Sequence, residues 1–201
     1  MMLPRLAPTS RRCHPGLTLV ELMVVVSLAL LVTLLAAPSL RDMIEVRRLR
    51  GVNAQLVTDL QFARSEAVRR NVNVEVQFDQ DDNLSCYVVY AGSASCDCKG
   101  TPGAACTSDT TTEIRTVQVL RSDAVRLDLP ASTDQPRKLK MDHITGGMVP
   151  VLGDSDTPST NPFMVTFRGD HSGQLRTVIN PAGRLSVCSP SGSVSGVDSC
   201  S

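Results

Sequence analysis

Glu21 is the one carboxylate at the head of a long apolar run: from Leu22 to Leu40 the sequence carries no charged residue. A carboxylate placed there is costly in a bilayer unless a cation or hydrogen-bond donors meet it, so Glu21 is a candidate for a specific polar contact with a partner. Gly16, small and turn-forming, sits before the run. A cut after Gly16 would leave Leu17 as a new N-terminus with the apolar segment still attached. A second group of reactive side chains comprises Cys86, Cys96, Cys98, Cys106, Cys188 and Cys200, left when Cys13 is set aside with the basic leader. An even number in an exported domain points to disulfides, and six cysteines allow about 15 connectivities. Cys96 and Cys98 stand too close to pair with each other without strain, whereas a Cys188–Cys200 bridge would close the tail. A structural zinc site is the rival, and it fits poorly: there is a C-x-C but no C-x-x-C and no nearby histidine. The third group is Arg168, Arg176 and Arg184, with Asp170 the only acid among them. Arginines on neighbouring strands can grip phosphates; equally, they can be solvated charges that blunt a sheet edge. His143 and His171 lie beside turns, and no Ser or Cys motif supplies a nucleophile with a base. No catalytic residues, metal site or cofactor are expected, and the chain is read as a non-enzyme.

These residues need elements to hold them. Residues 17–40 are long enough to span a bilayer as a helix, which takes about 20 apolar residues. A secretory signal peptide also has a basic start, but its apolar region is shorter and its small-residue cleavage site follows that region. Here the leader, residues 1–16, holds Arg5, Arg11 and Arg12 without an acid, and the glycine comes first. Beyond Arg41 the apolar residues Val52, Leu56, Leu60, Ala63 and Ala67 recur in steps of three and four, the stripe of a helix laid on a core. Pro38 and Gly51 are points where the helix can bend. Val72, Val74, Val76 and Phe78 then alternate as a strand, Asp79–Asn83 makes a turn, and Cys86–Tyr90 forms a second strand. Three acids in that turn invite a calcium reading, but no later glutamate completes an EF-hand loop. Residues 91–112 form a long loop, of the kind that is either functional or stapled; its cysteines argue for stapled. Strands are expected at 113–120, 124–129 and 139–141, and Gly146–Pro162 reads as a loop. A meander of 163–168, 174–179 and 184–188 follows, with turns at Gly169–Gly173 and Asn180–Gly183.

The chain has 201 residues, 20 basic and 20 acidic. Without the leader's three arginines the side chains sum to 17 − 20 = −3, so no strong global field draws the protein to nucleic acid. There is no Trp, and the core must be built from Val, Leu, Ile and Met.

Gly16-Leu17-Thr18-Leu19-Val20-Glu21-Leu22-Met23 resembles, without a gap, the processing motif of type IV pilins and pseudopilins. The resemblance implies cleavage between Gly16 and Leu17 by prepilin peptidase, N-methylation of Leu17, and a role for Glu21 in assembly, where it meets the N-terminal amine of a neighbouring subunit. Leu60-Gln61-Phe62-Ala63-Arg64-Ser65-Glu66-Ala67 and Asn180-Pro181-Ala182-Gly183-Arg184-Leu185-Ser186-Val187-Cys188 are similar to segments of the GspH/FimT family of minor pilins and pseudopilins. FimT-like members carry a G-R-x-R motif near a C-terminal cysteine, associated with capture of extracellular DNA in natural transformation; here Ser186 stands where the second arginine belongs. The expected fold is α+β and type IV pilin-like: a long N-terminal helix, membrane-spanning in its first half (17–40), whose second half packs on an antiparallel β-sheet domain with disulfide-stapled loops, residues 41–201. The expected place is the bacterial inner membrane, single-pass, with the globular part in the periplasm and later on a pilus at the cell surface. Other pilins or pseudopilins are the expected partners, with double-stranded DNA as a further one through Arg168, Arg176 and Arg184. The function implied is that of a type IV pilus minor pilin, the alternative being a type II secretion pseudopilin that acts in protein export.

Overall fold

The computed structural model describes residues 18–121, 124–129, 136–152, 157–171, 173–180, 182–192 and 194–200, without the side chains of 35–39. The leader, Gly16 and Leu17 lie outside the described residues. The chain divides into two compact units, Met1–Leu40 and Arg41–Ser201.

Helix α1 covers Leu19–Arg70. Its start lies in the first unit, where Thr18 acts as the cap: its hydroxyl accepts from the Glu21 N–H at 3.2 Å and its carbonyl from the Leu22 N–H at 3.1 Å. A threonine followed three residues later by glutamate is the pattern that satisfies the free N–H groups of a first turn. Ser27 and Thr33 donate back to the carbonyls of Met23 and Ala29 at 2.8 and 2.9 Å, so their hydroxyls need no outside partner. The large apolar side chains from Leu19 to Leu34 are exposed, Leu34 at 76%. Among the described residues no helix is long and apolar enough to cross a membrane.

In the second unit the three-and-four stripe of α1 is the face that is buried. Leu49, Leu56, Leu60, Ala63 and Ala67 are fully or almost fully covered, as spacing by helical turns demands. Gly51 stays helical, with no atom within 4 Å of a Cβ placed on it. Gly51→Ala is therefore expected to stabilise the unit by about 0.5–1 kcal/mol, since it removes only unfolded-chain freedom; an unchanged or lower denaturation midpoint would contradict this. The helix ends at Arg70 because Asn71 takes φ 55°. The Val72 N–H then returns to the Ala67 carbonyl and the Asn71 N–H to that of Val68, both at 3.3 Å, closing a Schellman cap. Glu66 holds the Arg69 and Arg70 guanidinium groups at 2.7 Å, hydrogen bonds that lower its carboxyl to about 2.

The described residues form ten strands: β1 (Val74–Gln80), β2 (Leu84–Ala91), β3 (Thr112–Leu120), β4 (Val125–Asp128), β5 (Lys138–Met141), β6 (Met148–Leu152), β7 (Thr157–Pro158), β8 (Phe163–Gly169), β9 (Gln174–Ile179) and β10 (Leu185–Cys188). All pairings between these strands are antiparallel, as expected, and they build two sheets, β3-β2-β1-β5-β6-β7 and β10-β9-β8-β4. One core serves α1 and both sheets, with the ring of Phe78 of β1 packed at 4.9 Å, tilted by 44°, against that of Phe163 of β8. Three expectations are corrected. The loop at Gly146–Pro162 contains β6 and β7, because Pro150 is accommodated opposite Leu139 of β5 and its carbonyl accepts from the Ser159 N–H at 2.8 Å. Val72 does not join the first strand, since it belongs to the helix cap and is 44% exposed. The last strand starts at Leu185, after Gly183 at φ +76°.

Buried polar groups tie α1 to each sheet. Asn53 Oδ1 accepts from the Thr177 hydroxyl of β9 at 2.7 Å, and the Asp59 carboxylate accepts from the Tyr87 hydroxyl of β2 at 2.7 Å. Arg115 of β3 pairs with the other Asp59 oxygen at 2.8 Å. These buried polar atoms are tolerated because each has found a partner.

Candidate functional site

Three places could act on a partner: the start of α1, the outer face of the four-stranded sheet, and the cysteine-rich loop. At the first, Glu21 is exposed in the opening turn of α1. A carboxylate there faces the free N–H groups and the positive end of the helix dipole.

The outer face of the second sheet gathers the arginines. In β8, Phe163, Val165 and Phe167 point inward, so Thr166 and Arg168 point outward; in β9 Leu175, Thr177 and Ile179 are buried, leaving Arg176 outward. Arg176 is paired in register with Thr166, whose hydroxyl accepts from its Nε at 3.2 Å. That makes Arg168 a diagonal neighbour, about 7–8 Å away by strand geometry. The pairing of β4 with β8 adds a residue that sequence reading missed: Arg126, directly opposite Arg168. Two arginines facing each other repel, and Asp128 sits between them, 3.3 Å from the Arg126 Nε and 2.9 Å from the Arg168 Nε. A shallow depression of about 300 Å³ lies here, lined by Asp128, Met164, Thr166, Arg168, Gln174 and Arg176.

Arg184 is exposed just before β10; its carbonyl accepts from the Asn180 N–H at 3.1 Å, and its guanidinium has no hydrogen-bond or ion-pair partner among the described residues. Its neighbour Gly183 is held where a Cβ would come within 3.0 Å of the Met148 backbone N. Ser186 pairs with Val178 and Cys188 with Arg176, so Ser186 lies on the arginine-bearing face. Arg126, Arg168 and Arg176 with Asp128 thus share one side of this sheet, Arg184 stands just before its last strand, and Asp128 partly neutralises Arg126 and Arg168.

The cysteine-rich loop is a lid. Disulfides join Cys86–Cys98, Cys96–Cys106 and Cys188–Cys200. The first fastens the loop to β2 and the second closes the loop on itself. Beneath it a small second core forms from Cys86, Val88, Tyr90, Cys96, Cys98 and Ala105. Gln118 of β3 donates to the Cys98 and Gly100 carbonyls at 2.8 and 2.7 Å. The Glu113 carboxylate accepts from the Gly103 and Ala105 N–H groups, both at 2.8 Å, and from the Thr116 hydroxyl at 2.6 Å. Burial by itself would raise the Glu113 carboxyl; these hydrogen bonds outweigh it and hold the group below the usual carboxylate range. Under the same lid Glu75 takes the Tyr90 hydroxyl at 2.7 Å and the Lys138 ammonium at 3.2 Å.

His143 is bonded to Asn73 at 2.8 Å, and His171 lends its backbone N–H to Glu45, also at 2.8 Å. Among the described residues no group of three His, Cys, Asp or Glu could hold a metal ion.

Residues 53–195 match the family described as type II transport protein GspH. The chain belongs to that family. The match takes in all ten strands and the arginine-bearing face of this GspH-family chain, while Glu21 and Cys200 fall outside it. No curated protein matches the chain. Among solved structures it is similar to the minor pseudopilin EpsH from the type 2 secretion system of Vibrio cholerae. Identity there is 13% over 71% of this chain and 97% of that one, with a TM-score of 0.43.

Proposed function

We propose that this chain is a minor pilin-type subunit, held in a bacterial inner membrane by its N-terminal helix with the globular unit in the periplasm, and then built into a filament with other pilins. The observation that carries this is the surface of α1 between Leu19 and Leu34, where large apolar side chains are exposed and Glu21 is the only charge. Such a helix needs lipid or other helices around it. Prepilin peptidase cuts between Gly16 and Leu17, Leu17 is methylated, and the Glu21 carboxylate meets the new amine of a neighbouring subunit. Two outcomes test this. Intact mass of protein from the native host should place the N-terminus at a methylated Leu17; a start beyond Leu22 would end the reading. Glu21→Ala should leave the globular unit folded yet remove the chain from filaments, and incorporation at wild-type level would refute the assembly role.

The filament we assign is a type IV pilus, with the face carrying Arg126, Arg168, Arg176 and Arg184 turned to the phosphates of double-stranded DNA. A type II secretion pseudopilus is the second reading, favoured by the description of the matching family. DNA binding of this kind is sequence-independent, and log K falls with log salt by about 0.9 for each phosphate contacted. Arg176→Ala should flatten that slope and Ser186→Arg steepen it, whereas Arg64→Ala on α1 should change neither. If the purified chain fails to retard DNA at low salt, with Ser186→Arg equally inert, and deletion abolishes exoprotein secretion, the second reading takes its place.

A further inference from the structure

A groove of about 660 Å³ opens in the second unit between the first turns of α1 there and the C-terminal segment. Met43, Val46, Arg47 and Arg50 come from the helix, His171 from the turn between β8 and β9, and Ser195 from the segment closed by the Cys188–Cys200 bridge. The Arg50 guanidinium donates to the Ser195 carbonyl across the groove. Arg47 is exposed and has no hydrogen-bond or ion-pair partner among the described residues. Asp42 is the one acid in the lining. Glu45, on the same helical turn, is buried with its carboxylate on the His171 N–H and takes no part in the lining. The walls therefore combine the exposed Arg47 guanidinium, a second guanidinium bonded to a backbone carbonyl, and the exposed thioether of Met43.

We propose that this groove holds the phosphate of an anionic phospholipid headgroup. The inference rests on the membrane-anchored reading of α1 given above. Arg47 lies seven residues beyond Leu40, the last residue of the uncharged run, which is about 10 Å of helix. The headgroup layer on each side of a bilayer is about 5–8 Å thick, and an arginine stem can lean back towards it. A guanidinium matches a phosphate with two parallel hydrogen bonds, which an ammonium cannot do. Met43 and Val46 then line the apolar side of the groove, where the glycerol and upper acyl carbons of the lipid lie.

The test uses the full chain in neutral detergent, titrated separately with dihexanoyl-phosphatidylglycerol, dihexanoyl-phosphatidylcholine and inorganic phosphate, with binding read by native mass spectrometry. Phosphatidylglycerol is expected to bind about tenfold more tightly than phosphatidylcholine, the scale set by one or two arginines at an anionic surface. Arg47→Gln, at an exposed position, should abolish that preference, and Arg176→Gln, outside the groove lining, should keep it. Equal binding of the two lipids, or a preference that survives Arg47→Gln, overturns the proposal. Inorganic phosphate binding as tightly as phosphatidylglycerol would also overturn it, because the site would then serve the free ion. Anchoring is read separately, by flotation of the full chain with phosphatidylcholine vesicles. Loss of flotation alongside a retained headgroup preference would refute the anchor and leave the groove; the reverse would refute the groove alone.

Discussion

Asp59→Ala lowers the stability of the globular unit by about 3 kcal/mol, more than any single change at the surface is expected to do. The carboxylate is 2% exposed and joins three elements: α1, β2 through the Tyr87 hydroxyl, and β3 through Arg115. Removing it leaves the phenol of Tyr87 buried without an acceptor, and such a group costs about 1–3 kcal/mol on top of the lost charge-assisted bond. Burial first, and the hydrogen bond to Asp59 second, push the Tyr87 phenol well above its ordinary range, which keeps it a donor to the carboxylate. Tyr87→Phe should cost less, because Arg115 still neutralises the aspartate. Arg115→Ala should cost least, since that side chain is half-exposed and salt screens its pairing. In thermal unfolding the aspartate variant should fall by about 6–12 °C. A drop within the error of the tyrosine variant would show that the three groups are not coupled as described.

Replacing Cys86 and Cys98 together by alanine is the second large effect, about 2–5 kcal/mol. The comparison with Cys188 and Cys200 is what makes it informative. Both bridges span a sequence separation of 12, so the chain-entropy contribution is the same for each. The first also pins the lid over Val88 and Tyr90, whereas the second pins the tail. The Cys86/Cys98 variant should therefore lose more, and residues 92–111 should become open to protease while the tail variant keeps them closed. Equal losses from the two pairs would mean that the lid holds without its bridge.

What could be read from the chain was local. The stripe of Leu56, Leu60, Ala63 and Ala67 and the alternation of Phe163, Val165 and Phe167 are periods of one element, and each turned up buried on the side its period indicated. Pairing over long separations was not legible. The division into two sheets depends on β1 meeting β5 and β4 meeting β8, and no local pattern specifies either. Arg126 escaped notice for that reason: it becomes a neighbour of Arg168 only once those strands pair. Strand β6 was hidden by Gly146, Gly147 and Pro150, which read as punctuation. Its pairing shows that a proline is tolerated in a short strand when its carbonyl still finds a donor. The buried pairs of Asp59 with Tyr87 and Glu75 with Lys138 were equally invisible, since each member alone looks like an ordinary surface polar residue.

The two rings that the bridges close within single segments bear on how the molecule would look after enzymatic nicking. Thr101 lies between Cys96 and Cys106, and Gly192 between Cys188 and Cys200. A cut beside either residue leaves both fragments covalently joined. A nicked molecule would therefore run at full mass under non-reducing conditions and fall into two pieces only when a thiol is added. Apparent resistance to digestion in these two segments can be judged only on reduced samples.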